Sequence, residues 1–180
     1  MRPAAEYLPA YRAALERGYS PSTERPEKRL EELRAIAADA NEFLALCEDL
    51  AARGAPISLP DGSRVPRLPG FQRWMWDGDI AGSIGLRWQT GTPELPAWCH
   101  GHVGYSVVPW KRRRGYATAA LRLILPEARR IRLPYVEVVT DPDNTASQRV
   151  ILANGGELVE RFRIGAQYGG GESLRYRIAL

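Results

Sequence analysis

Residues 111–118, Lys-Arg-Arg-Arg-Gly-Tyr-Ala-Thr, set four consecutive cations directly before a glycine and the start of an apolar-periodic segment. Three kinds of role suit such a cluster: a solvated loop, a nucleic-acid patch, or a cradle for an anionic ligand. The third is the most specific. A helix opening at Gly115 leaves its first N–H groups without intrahelical acceptors, and such a helix start attracts anions. Gly115 and Ala117 let that backbone come close to a phosphate. Arg112, Arg113 and Arg114 add charge and paired hydrogen-bond donors. The chain has no GxxxxGK[ST] sequence, and the loop lacks the G-x-G-x-x-G spacing, so the usual nucleotide loops do not account for it. Upstream, His102 carries an imidazole whose ordinary pKa of about 6.5 suits a proton relay near neutrality. With Cys99 and His100 it also raises the question of a metal. A strand puts His100 and His102 on one face, but no further cluster supplies the remaining ligands, and no metal is expected.

These residues sit in a chain of 180 residues with 44% hydrophobic content, enough for one compact core, so a single domain over 1–180 is expected. Its 25 Lys and Arg against 21 Asp and Glu leave a formal charge of +4, an excess compatible with a polyanionic ligand. Cys47 and Cys99 are the only cysteines, which fits a reducing compartment. No run of about 18 apolar residues and no leader-like segment is present. A cytoplasmic protein without membrane attachment is the expectation.

The elements that must position the basic loop can be read from periodicity. A short helical pattern spans Tyr7 to Arg17, and Pro26 to Arg53 reads as one long helix through Leu30, Leu33, Ala37, Ala40, Leu44 and Cys47. The proline- and glycine-rich stretch 54–70 reads as a loop. Alternation then predicts strands at 71–76, 80–88 and 102–109, an antiparallel meander whose first turn is Asp77-Gly78-Asp79. A helix follows, with Ala117, Ala120, Leu121, Ile124, Leu125, Ala128 and Ile131 on its inner face, and Pro126 predicts a kink or an early end. A strand at 135–140, a helix at 144–154 and a final strand pair complete a mixed α/β sheet flanked by helices. Core packing is the expected role of the five tryptophans. Trp88 and Trp98, which flank the loop 89–97, and Glu94 within it are alternatively placed to line an acceptor pocket.

The loop spells Arg112-x-x-Gly115-x-Ala117 between a strand and a helix, and downstream come Asn144, Ser147 and the Asn154-Gly155-Gly156 turn. In this order and spacing, residues 71–180 resemble the GNAT superfamily of acyl-CoA-dependent N-acetyltransferases. The resemblance implies a largely antiparallel mixed sheet with two splayed central strands, here 102–108 and 135–140. Acetyl-CoA is implied as acyl donor, its pantetheine arm on the backbone of Val107 and Val108 and its pyrophosphate on residues 112–118, which include Tyr116 and Thr118. Asn144 and Ser147 are implied as further contacts. The backbone N–H of Tyr105 matches the position that polarises the thioester. His102 matches the position of a base, with Tyr105 and Glu137 as alternatives. Relatives place an acidic tyrosine seven residues after the Asn, where this chain has Ile151. The reaction implied is acetylation of a primary amine by direct attack in a ternary complex. A small-molecule acceptor is favoured over a protein, and a homodimer is left open. The rival readings are an acyl-CoA-binding regulator without turnover and a nucleic-acid-binding module.

Overall fold

The computed structural model describes residues 1–180 apart from Glu24, Pro60 and 166–169. Its central meander consists of β4 (Gly70–Trp76), β5 (Ile80–Arg87) and β6 (Val103–Val107), preceded by a two-residue strand β1 (Glu48–Asp49) that pairs with β4. The second sheet has the order β7 (Tyr135–Thr140), β9 (Glu172–Ala179), β8 (Glu157–Arg163), antiparallel throughout. A hairpin of β2 (Ile57–Ser58) and β3 (Arg64–Val65) lies within the stretch expected to be loop. The described residues form five α-helices: α1 (Leu8–Glu16), α2 (Lys28–Ala38), α3 (Ala40–Leu46), α4 (Tyr116–Arg130) and α5 (Thr145–Leu152). This is the mixed, largely antiparallel α/β architecture with flanking helices that the sequence predicts.

Two hydrophobic clusters hold the layers together. On one face of the sheets, Leu121, Ile124, Leu125 and Ala128 of α4 and Ile151 of α5 pack on Ile84, Leu86, Val103, Val136, Val138 and Tyr176. On the other face of the meander, Tyr11, Leu15 and Tyr19 pack with Phe43, Trp74, Ile80 and Val108, and the Tyr11 ring stacks on Trp74 at 4.3 Å. Trp74 is therefore a core residue, as expected, and Trp76 joins the same cluster against Tyr7.

Two helix predictions are corrected. The segment 26–53 is not one helix: Asp39 is extended (φ −157°, ψ 103°), and its carboxylate accepts from the N–H groups of Asn41 and Glu42, ending α2 and capping α3. After Leu46 the chain leaves the helix to pair β1 with β4, so strand pairing overrides an apolar spacing that continues to Leu50. Asp39→Ala should therefore cost about 1 kcal/mol of stability, lowering the thermal midpoint by about 3 °C in a calorimetric scan. The second correction concerns one of the two outcomes expected at Pro126: the helix does not end early but runs on to Arg130. The proline is exposed, only one backbone donor is lost, and buried Leu121, Ile124, Leu125 and Ala128 anchor the helix on both sides of it.

Candidate active site

β6 and β7 adjoin but share no ladder. At their starts, the His102 N–H donates to the Glu137 carbonyl at 2.8 Å and the Glu137 N–H donates to His102 Nδ1 at 3.0 Å. Beyond that point no backbone hydrogen bond joins the two strands among the described residues, which is the splay expected of 102–108 and 135–140. The ladder phase settles which groups face the gap. The Arg87 N–H donates to His102 O and the Val108 N–H to Ala81 O, so the intervening pairs Gly82–Val107, Ile84–Tyr105 and Leu86–Val103 are the non-hydrogen-bonded ones. The N–H and C=O of Val103, Tyr105 and Val107 therefore turn away from β5, toward β7.

Val108 does not join them. Its N–H is given to Ala81, its carbonyl accepts from Lys111, and its side chain is fully buried beneath the N-terminal helices. The expectation that Val108 offers backbone to a ligand is corrected on that ground; Val107 retains the orientation required.

From Val107 the chain enters the basic loop through a short 3₁₀ turn, Pro109–Lys111. Arg113 (φ 61°) and Gly115 (φ 83°) both adopt left-handed backbone, and Gly115 is the N-cap of α4. Such alternation turns successive N–H groups toward a common point. The first intrahelical bond is Ala119 N–H to Gly115 O at 3.0 Å, so the N–H groups of Tyr116, Ala117 and Thr118 have no acceptor within the helix. A side chain at Gly115 would meet nothing within 4 Å, so the concavity is open to solvent.

The side chains of the loop divide into two sets. Lys111 and Tyr116 both donate to Asp77 in the β4–β5 turn, and Arg114 lies 3.6 Å from the same carboxylate. These contacts, the Lys111 hydrogen bond foremost, hold the Asp77 pKa down to about 2, so the clamp is charged throughout the neutral range. Arg112, whose Nε approaches Val107 O at 3.4 Å, and Arg113 have no ion-pair partner among the described residues and are exposed. Asp77 was not singled out by the sequence, because an acidic hairpin turn shows no sign of which loop it will meet.

Across the gap, Asn144 caps α5 by accepting from the Ser147 N–H at 3.1 Å. The Ser147 hydroxyl lies 2.8 Å from the Tyr105 hydroxyl, tying the first turn of α5 to β6. Burial pushes the Tyr105 phenol up to about 12, so it stays protonated. Ile151 is fully buried in the core, with no hydroxyl in its place.

His102 is fully buried, and both ring nitrogens are engaged. Nδ1 accepts from the Glu137 N–H, which leaves Nε2 as the protonated nitrogen, 3.1 Å from the Pro93 carbonyl. Burial lowers its pKa, Glu137 opposing and Arg87 and Arg177 adding to the shift. In this arrangement the ring has no lone pair with which to accept a proton from an amine. Glu137 is equally committed, to Arg175 at 3.0 Å and Arg177 at 2.7 Å.

Trp88 lines a cleft of about 340 Å³ with residues 89–93 and 131–134. That cleft lies beyond the C-terminus of α4, about 22 Å along the helix from the basic loop. Trp88 is therefore remote from the basic loop. Among the described residues no three His, Cys, Asp or Glu side chains converge as a metal site would require, and no helix is long and apolar enough to cross a membrane.

Comparison with known proteins agrees with this geometry. The chain is similar in structure to the microcin C7 self-immunity acetyltransferase MccE, solved with acetyl-CoA and AMP (TM-score 0.65, 12% identity, 100% of this chain and 91% of that one). It is also similar to a point variant of the spermidine N-acetyltransferase SpeG from Vibrio cholerae (TM-score 0.58, 10% identity, 98% and 92%). A third likeness is to RimJ from Mycobacterium smegmatis in complex with CoA-disulfide (TM-score 0.53, 17% identity, 97% and 76%). A sequence comparison with curated proteins finds no match. The profile of the acetyltransferase (GNAT) domain matches residues 29–157, which include the meander, the basic loop and α5, and the chain belongs to the GNAT acetyltransferase family.

Proposed function

We propose that the protein is an acetyl-CoA-dependent N-acetyltransferase that acetylates a primary amine by direct attack within a ternary complex. The observation that carries this reading is continuity: the backbone facing the gap at Tyr105 and Val107 leads, within a few residues, into the N–H cradle at 113–118. A pantetheine arm suits the first as an added strand would, and a pyrophosphate suits the second. Arg112 and Arg113 supply the charge left over by the Asp77 clamp. The structures of MccE with acetyl-CoA and of RimJ with CoA-disulfide support the assignment by likeness.

In the proposed reaction the neutral amine attacks the thioester carbonyl carbon, the new C–N bond forms as the C–S bond breaks, and the thiolate takes up a proton. The Tyr105 N–H polarises the carbonyl. The Tyr105–Ser147 hydroxyl pair passes a proton to sulfur in place of the tyrosine absent at Ile151 and regains one from water. His102 and Glu137 hold the strands in place, so the amine enters neutral and its surplus proton leaves to water. The nucleic-acid reading is weakened because Asp77 already engages Lys111 and Arg114.

Calorimetric titration with acetyl-CoA and with CoA, followed by thiol release on adding amines, tests the proposal. Saturable binding with amine-dependent thiol release is expected. No acetyl-CoA binding by folded, ligand-free protein overturns it. Binding without turnover on any amine class would make the protein an acyl-CoA-responsive regulator, the reading that buried Ile151 favours.

A further inference from the structure

On the sheet face opposite α4 and α5, side chains from β5 and β6 form a short trough. Ser83 and Ser106 stand opposite each other at one end and are roofed by Tyr19, whose hydroxyl lies 2.8 Å from Ser83 Oγ and 2.9 Å from Ser106 Oγ. The next pair along is Gly85 opposite Gly104, and both are partly open to solvent. Two facing glycines leave the sheet bare between the Tyr19 roof and the end of β5. At that end stands Arg87, and its guanidinium folds back over Gly104: a Cβ built there would lie 2.8 Å from an Arg87 terminal nitrogen.

Gly104 directly precedes Tyr105, whose N–H faces the gap. Standard bond lengths then place the guanidinium at most about 7 Å from that N–H. The neighbouring arginines across the gap are already neutralised, Arg175 by Glu137 and Glu160, Arg177 by Glu137. Arg87 has no ion-pair partner among the described residues and is exposed. An unpaired guanidinium held on glycine beside the acyl-transfer position calls for an anion.

We infer that the acceptor is a small amine bearing an anionic group, carboxylate or phosphate, which docks on Arg87 in the Gly85–Gly104 trough while its amine reaches the gap beside Tyr105. The inference rests on the acetyltransferase reading above. The short distance from Arg87 to the Tyr105 N–H limits the amine and the anion to a separation of a few bonds. A purely cationic amine would meet the unpaired guanidinium with repulsion.

The test uses matched pairs after acetyl-CoA binding has been established, so that failure of the acetyltransferase reading is recognised separately. Glycine is compared with glycinamide for the carboxylate, and O-phosphoethanolamine with ethanolamine for the phosphate, by thiol release and by calorimetry on CoA-loaded protein. The anionic member of at least one pair should be preferred, and which pair responds identifies the anion. Arg87→Gln should lower kcat/KM for the anionic member about 30-fold more than for its neutral partner, and Arg87→Glu should reverse the preference. Equal losses for both members would make Arg87 a general electrostatic or structural group and overturn the inference. Preference for neutral or cationic amines, or neither binding nor turnover of any anionic member by protein that binds acetyl-CoA, would overturn it as well.

Discussion

Gly115→Glu is expected to weaken acetyl-CoA binding at least 100-fold, on the order of 3 kcal/mol, while leaving the protein folded. The substitution acts on the cradle in two ways. It places a carboxylate at the mouth of a concavity built from unpaired N–H groups and arginines, and it strains the left-handed backbone (φ 83°) that aims those groups. The space around a Gly115 side chain is open, so no packing is lost, and the stability cost is confined to that backbone strain, about 1 kcal/mol. Gly115→Ala separates the two effects, since it imposes the strain without the charge and should weaken binding far less. Calorimetric affinity alongside a thermal scan reads both. Unchanged affinity for Gly115→Glu in folded protein would remove the loop from the cofactor site.

His102→Ala should destabilise the fold by about 3 kcal/mol, lowering the thermal midpoint by about 10 °C. It removes a fully buried ring and leaves the Glu137 N–H and the Pro93 carbonyl without their partners. A pH dependence follows from the same contacts. The folded-state pKa lies below the ordinary His value, so the native protein binds this proton less readily than the unfolded chain does. The ring's stabilisation is then fully present above about pH 6.5 and is lost as pH falls through that value toward the lowered folded pKa. Urea unfolding at pH 7.5 and pH 5.5 should show a steeper decline for the wild type than for His102→Ala. A catalytic base would instead show a large loss of kcat with stability nearly intact.

The legibility of this protein in its sequence follows the range of the forces involved. Strands β4 to β7 and the inner face of α4 were readable because alternation and helical spacing are local records of burial, and the basic loop ahead of α4 was readable because its residues are consecutive. The break at Asp39 was not, since the apolar spacing runs through it, and neither was the exit after Leu46, which is set by the pairing of Glu48 and Asp49 with the distant β4. The early end allowed at Pro126 failed for the opposite reason: a local rule gave way to the packing of Leu121, Ile124, Leu125 and Ala128. At the site, Val107 and Val108 differ by one residue in sequence, yet ladder phase turns one toward the gap and the other toward Ala81. The His102 ring presented the same difficulty, because its partners are a strand 35 residues away and a loop carbonyl. Asp77 and Arg87 went unnoticed because each acquires its meaning only from a distant neighbour.

Among the described residues, the backbone of β6 and β7 is joined only between His102 and Glu137, so the two sheets are stitched along this seam at one end. A slot left open in this way forgoes several interstrand rungs permanently, and in return no strand has to be prised apart when a ligand arrives. The arm of a bound thioester would serve as a removable beam, completing the span while present and leaving at each cycle. Folding and occupancy would then draw on the same seam, so the supply of the ligand would become one of the quantities that set how long each molecule stays folded.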